Sequence, residues 1–194
     1  MIPTNPQTAS QTAYRANMTT VSKGWSALTE DQRNAWNTAA ASGNWTLTNR
    51  LGEQFNPSGE QLYVQLNLNL LLAGQSTISD VPAKATFPTL TMGALTSNGT
   101  TPALTIAYGG TLGAGNTIVV SATPNLSAGV MSPQDSSFRV VTTSAGASPI
   151  DILSAFTAKF GSVVTGQKIF VKLEIVNDTS GEKIAVGSTS AVAA

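Results

Sequence analysis

NPQTASQTAYRANMTTVSKGWSALTEDQRNAWNTAA, residues 5–40, spells out two helices together with their caps and an apolar seam. Tyr14, Met18, Val21, Trp25 and Leu28 step by four, three, four and three residues, which keeps all five on one stripe of an α-helix. Thr8 or Ser10 can cap this helix, which runs to about Leu28 and spans about 30 Å at 1.5 Å per residue. Gly24 lies inside it at a cost of roughly 1 kcal/mol relative to Ala. Close approach of another backbone would account for a glycine there. Thr29 opens the second helix with Gln32 three residues on, a capping box, while Glu30 and Asp31 place negative charge at the positive end of the helix dipole. Its packing face is Gln32, Ala35, Trp36, Ala39 and Ala40, and Gly43 suits the C′ position. With almost no loop at Leu28-Thr29, the chain must turn sharply, bringing Trp25, Leu28 and Trp36 together. A buried Trp removes about 150–250 Å² from water.

Upstream, Pro3 and Pro6 oppose helix over residues 1–7 and favour an extended arm, expected to lie against a neighbouring subunit. Downstream, residues 44–57 read as irregular, anchored by Trp45, Leu47, Leu51 and Phe55. Ser58 with Gln61 makes another capping box and Gly74 a stop, framing a helix over 59–73. The same stretch alternates like a strand at Leu62, Val64, Leu66, Leu68 and Leu70. Agreement of caps at both ends, and a length well beyond the usual strand, decide for helix.

Residues 75–88, with Pro82 and Pro88 and few apolar groups, read as a linker. Short β-type segments follow near 89–95, 102–108, 116–123, 137–143, 167–177 and 182–190. The clearest is the run from Lys168 to Ile175, in which Ile169, Val171, Leu173 and Ile175 face one way and Lys172 and Glu174 the other. The turn at Asn177–Gly181 leads into a partner strand carrying Ile184 and Val186. Residues 149–160 read as a short helix, with Ile152, Leu153, Phe156 and Phe160 at helical spacing. The expected fold class is α+β: an N-terminal helical hairpin or bundle at 1–80, a linker at 81–88, and an immunoglobulin-like or fibronectin-III-like antiparallel β-sandwich at 85–194.

Composition narrows function further. Charged residues are 10% of the 194, far below the usual quarter or so, and ten cations balance ten anions. No net field draws nucleic acid or an anionic membrane, and near-zero charge resists self-association poorly. The chain has no Cys and no His, so it holds no disulfide, thiolate zinc site or thiol nucleophile, and lacks the commonest general base. No basic and apolar leader opens the sequence and no apolar run spans a bilayer. A protein made in a cytoplasm is expected.

The residues that could carry chemistry have simpler accounts. Gly109, Gly110, Gly113 and Gly115 lack the Gly-Lys-Ser/Thr ending of a phosphate loop and read as a β-turn. Asp178 and Glu182 flank a turn but are two carboxylates where calcium wants six to eight oxygens. Asp135 and Asp151 have no partner carboxylate for glycoside chemistry. Arg15, Lys23, Arg33 and Arg50 are matched by acids and make a poor DNA footprint. The expectation is a non-enzyme with no catalytic residue, cofactor or metal.

The pattern Asn5-Pro6-Gln7-Thr8, Gln11, Arg15, Met18, Ser22, Trp25, Leu28-Thr29, Gln32-Arg33, Ala35-Trp36-Asn37 and Ala39, with Asn67-Leu68-Asn69, Gly74 and Pro82 beyond it, resembles small structural proteins of tailed bacteriophages and prophages, notably those of Bacteroidota. The resemblance covers about 80 residues. The β-part more loosely resembles the Ig-like modules of phage head-decoration, fibre and tail proteins. It implies a virion component. The helical part is expected to dock on capsid, portal or tail subunits, or on further copies of the chain, through Pro3, Pro6, Tyr14, Met18, Trp25, Trp36 and Trp45. The alternative is a host-surface or glycan-binding adhesin whose loops near 109–115 and 144–149 make the contacts, with Tyr108 the one nearby ring.

Overall fold

The computed structural model describes residues 8–49, 51–146 and 148–194. It is an α+β protein with four α-helices among the described residues and antiparallel sheets. Two compact units are present: Met1–Lys84 with Thr179–Gly181, and Ala85–Asp178 with Glu182–Ala194.

The helical unit is built on three capping boxes. Helix α1 (Ala9–Ala27) starts at Thr8, whose side-chain oxygen accepts from the Gln11 N–H while Gln11 reaches back to the Thr8 N–H, both at 3.3 Å. Helix α2 (Glu30–Ala41) repeats the device with Thr29 and Gln32, and α3 (Gly59–Leu72) with Ser58 and Gln61. Each box satisfies two backbone donors that the first helical turn leaves open. Between α2 and α3, β1 (Leu47–Thr48) pairs with β2 (Gln54–Phe55). This small hairpin replaces the irregular stretch expected there. Leu51 and Phe55 do not anchor it: they are 84% and 45% exposed.

Helix α3 is the centre of the unit, and α1 and α2 each pack against it. Its buried residues are Gly59, Leu62, Tyr63, Leu66, Asn67 and Leu70, a spacing of three, one, three, one and three that belongs to a helix face. Val64 and Leu68, the other members of the strand-like alternation, lie on the flank of that face. The core joins Val21, Leu28, Trp36, Ala40, Trp45, Leu62, Tyr63 and Leu66, with Trp25 against it. Ala35 is exposed, outside the packing face expected for it. The intimate backbone contact is at Gly59, where an added Cβ would lie 2.7 Å from the Asn37 amide nitrogen. At Gly24 the crowding group is instead a side chain, the Tyr63 hydroxyl, 2.5 Å from the Cβ position.

Residues 78–80 are fastened to the helices rather than free. The fully buried Asn67 accepts from the Ile78 N–H at 2.7 Å and donates to the carbonyls of Tyr63 and Ile78 at 3.0 and 3.3 Å. Trp36 Nε1 donates to the Ser79 carbonyl at 2.8 Å and Gln32 Nε2 to Asp80 at 2.9 Å. Ile78 and Val81 add to the core. A segment that reads as linker by composition is thus held through its main chain, which composition does not report.

The second unit carries β3 (Thr91–Asn98), β4 (Ala103–Gly109), β5 (Asn116–Ala122), β6 (Leu126–Ser127), β7 (Arg139–Ser144), β8 (Ile150–Asp151), α4 (Leu153–Phe160), β9 (Gln167–Asn177) and β10 (Lys183–Val192). One antiparallel sheet runs β10-β9-β5-β7 with β6 beside β9, and the other runs β3-β4-β8. Both feed one core: Leu95, Leu104 and Ile106 from the smaller sheet, and Ile118, Val120, Ile169, Val171, Leu173 and Ile175 from the larger. Phe156 of α4 is fully buried among them. On β9 the intervening Lys172 and Glu174 form an ion pair at 3.2 Å, which Lys183 joins at 3.3 Å. Strand β5 is buried on both faces.

One reading of this region changes. The helix expected from residue 149 starts only at Leu153, because Ile150 pairs with Ile106 as the edge of the smaller sheet and Asp151 Oδ1 accepts from the Leu153 N–H at 2.9 Å. Ile184, on the partner strand opposite Ile175, is 46% exposed. At the edge of the larger sheet, Lys159 of α4 donates to the Val140 carbonyl and so occupies part of the open side of β7.

Candidate functional site

Helix α1 divides into two halves with different surroundings. Val21 and Leu28 are buried and Trp25 is half-buried, whereas none of Gln11–Thr20 is buried. Tyr14 is 61% exposed and Met18 half-buried, so the front of the apolar stripe stays open to solvent within this unit. The charges of this helix are Arg15 and Lys23, with no acidic residue among its nineteen.

The tryptophans hold the unit itself. Trp36 is fully buried and Trp45 is 8% exposed, with Lys84 Nζ 4.1 Å from its ring centroid in a cation–π contact. Trp25 and Trp36 come together through Tyr63, whose ring centroid lies 5.4 Å from one and 5.3 Å from the other, the latter edge-to-face. Burial raises the Tyr63 pKa above the ordinary phenol value, because the phenolate would lose its hydration. Of the residues nominated for docking, Tyr14 and Met18 are accessible, Trp25 partly so, and Trp36 and Trp45 are spent on the core. Pro3 and Pro6 lie outside the described residues. Tyr63 and Asn67 are the organising residues that periodicity missed. Projecting 59–73 as a helix puts Tyr63 beside Leu62 and Leu66, and that was the available signal.

In the second unit, the loop from β4 to β5 and the loop from β7 to β8 line one open cleft of about 610 Å³. Its lining includes Tyr108, Thr111, Leu112, Gly113, Gly146 and Ser148, none of them charged. Tyr108 is 7% exposed, and its hydroxyl donates to the Gly146 carbonyl at 2.7 Å while its N–H donates to Ser148 Oγ at 2.8 Å. These bonds tie the two loops together.

Among the described residues no three His, Cys, Asp or Glu side chains gather as a metal centre would need, and no helix is long and apolar enough to cross a membrane. Asp135 and Asp151 are exposed and serve local turns. Glu182 is 8% exposed and accepts from the Ala85 N–H at 3.2 Å. Comparison with protein families, with curated proteins and with solved structures finds no match.

Proposed function

We propose that this chain is a non-enzymatic structural component of a tailed-phage particle, a head-decoration or auxiliary capsid protein or a neck or tail protein. It docks through its helical part and carries an immunoglobulin-like β-sandwich. The observation that carries the docking half is the open front of α1. Tyr14 and Met18 are four residues apart on a helix whose rear half is locked into a core, the arrangement by which a helix lays apolar anchors into a groove on a partner. Two antiparallel sheets sharing one core support the sandwich reading. The low charge of the chain suits many weak polar contacts at the rim of an assembly. The partners are other virion proteins, with further copies of the chain among them; neither nucleic acid nor membrane is called for.

The test is to tag Ala194, purify particles from a producing host, and image them. Label at regular positions on head, neck or tail is expected. Tyr14→Glu with Met18→Glu should remove the protein from particles while leaving its unfolding transition unchanged, since neither side chain is part of the buried core. Particles that never contain the chain, or that incorporate the double variant normally, overturn the reading.

A further inference from the structure

The second unit carries an apolar hole and an apolar knob at opposite ends of β9. The hole is a cleft of about 210 Å³ lined by Phe87, Pro88, Leu90, Ile175, Ile184 and Val186, with Thr89 its one polar side chain. Leu90 and Ile175 belong to the buried core, and Phe87 and Val186 pack against it, so the cleft opens into the core itself. Ile184 pairs with Ile175 on the same face of the sheet, yet it stays open to solvent at the rim. The knob is Met131, 84% exposed. It follows a turn in which the Val130 N–H donates to the Ser127 carbonyl at 3.0 Å, while Lys168 Nζ donates to the Val130 carbonyl at 3.1 Å. Strand β6 fixes this turn to the start of β9, with Leu126 opposite Lys168 and Ser127 opposite Gln167. Val130 is therefore held on both sides, and Met131 projects from a fixed base. Residues 128–134 carry no charged side chain, and neither does the lining of the cleft.

Lys168, beside the knob, and Ile175, in the hole, lie on one strand about 23 Å apart at roughly 3.3 Å per residue. That separation keeps a molecule's own Met131 out of its own cleft, so a Met131 that enters the cleft comes from another copy. At about 210 Å³ the cleft falls below the roughly 300–1,000 Å³ of small-ligand sites and above the roughly 150 Å³ that holds one benzene, which suits a single long side chain. A strand added by a peptide is disfavoured, because the β10 edge beside the cleft is irregular between Ala185 and Gly187. Methionine, unbranched and polarizable, fills irregular apolar gaps. Ten cations balance ten anions, so no net charge drives copies apart. We propose that this cleft receives Met131 of a second copy of the chain. Knob and hole are different patches at opposite ends of one strand, so the contact is head to tail and passes from copy to copy, closing in a ring or running on as a filament. It concerns the second unit alone and holds wherever the helical unit docks.

The chain has no cysteine of its own, so introduced thiols report the contact. Full-length Met131→Cys is mixed with size-tagged Ile184→Cys, oxidised mildly, and the mixed disulfide is measured on a non-reducing gel. Val192→Cys is the control for random collision, since Val192 is 48% exposed on the same strand as Ile184, at 46%. A disulfide forms only where Cα atoms come within about 4.4–6.8 Å, so the product reads seating of the knob. Ile184→Cys should give about tenfold more product than Val192→Cys, and a chain carrying both Met131→Cys and Ile184→Cys should give a ladder of dimers, trimers and larger species. Excess native chain should suppress the product, and excess chain with Met131→Asp and Ile184→Asp should not. Equal products at positions 184 and 192, disulfides confined to single chains in the double-cysteine variant, or equal suppression by the two competitors would each overturn the proposal.

Discussion

Gly24 and Tyr63 set a lock whose strength can be measured. Replacing Gly24 by Ala should add about 1 kcal/mol of helix propensity to α1. The new methyl, however, meets the Tyr63 hydroxyl at 2.5 Å, while the next ring atoms lie at 3.6 and 3.8 Å, ordinary contact distances. The whole conflict is with one oxygen. Tyr63 cannot swing aside, because its ring is 2% exposed and wedged against Trp25 and Trp36. Overpacking of this kind costs roughly 1–3 kcal/mol, so Gly24→Ala alone should leave the unit between unchanged and about 2 kcal/mol less stable. In the Tyr63→Phe background the oxygen is gone and the same substitution should stabilise by up to about 1 kcal/mol. The coupling between the two sites is then about 1–3 kcal/mol. All three tryptophans of the chain are in the helical unit, so urea unfolding followed by tryptophan fluorescence reads that unit alone. Additive effects in the double-mutant cycle, or stabilisation by Gly24→Ala with Tyr63 intact, would refute this account of the packing.

Two further outcomes follow from the same core. Tyr63 has a raised folded-state pKa, so above the ordinary phenol value, near pH 10, the unfolded chain releases a proton that the folded one retains. This contribution to stability is complete below that pH and declines as pH rises through it; fluorescence-detected melting should show the decline in the native sequence and lose that part of it in Tyr63→Phe. Asn67→Leu should cost about 1–3 kcal/mol by leaving the Ile78 N–H without its acceptor, and hydrogen exchange at Ile78 should accelerate. Exchange at Ile78 unchanged in a stable Asn67→Leu variant would contradict the role assigned to that side chain.

Helix boundaries were legible because caps are local chemistry. Thr8, Thr29 and Ser58 each have Gln three residues on, and each starts a helix. The strand regions were legible where one face is buried, as in β9, since alternation then records burial directly. Ile150 was read into a helix together with Ile152, Leu153, Phe156 and Phe160, whose spacing is helical. Its pairing with Ile106, distant in sequence, overrode that pattern. The apolar residues Leu51 and Phe55 misled because hydrophobicity alone does not require burial.

The cleft was half visible. The glycines of 109–115 announced a turn, but the loop's hold on Asn116, which reaches back to two of its carbonyls, is something no spacing reveals. Sequence by itself determined the α+β class, the three capped helices and the absence of thiol and imidazole chemistry, because these depend on residue type and on neighbours a few positions away. Tertiary structure decided that α3 and not the α1–α2 pair is the centre, that Tyr63 joins the two tryptophans, that residues 78–80 are pinned by Asn67, and that the front of α1 stays open. Each of those rests on side chains and backbone groups brought together from distant parts of the chain, where the energy lies in packing and in satisfying buried polar groups rather than in local preference.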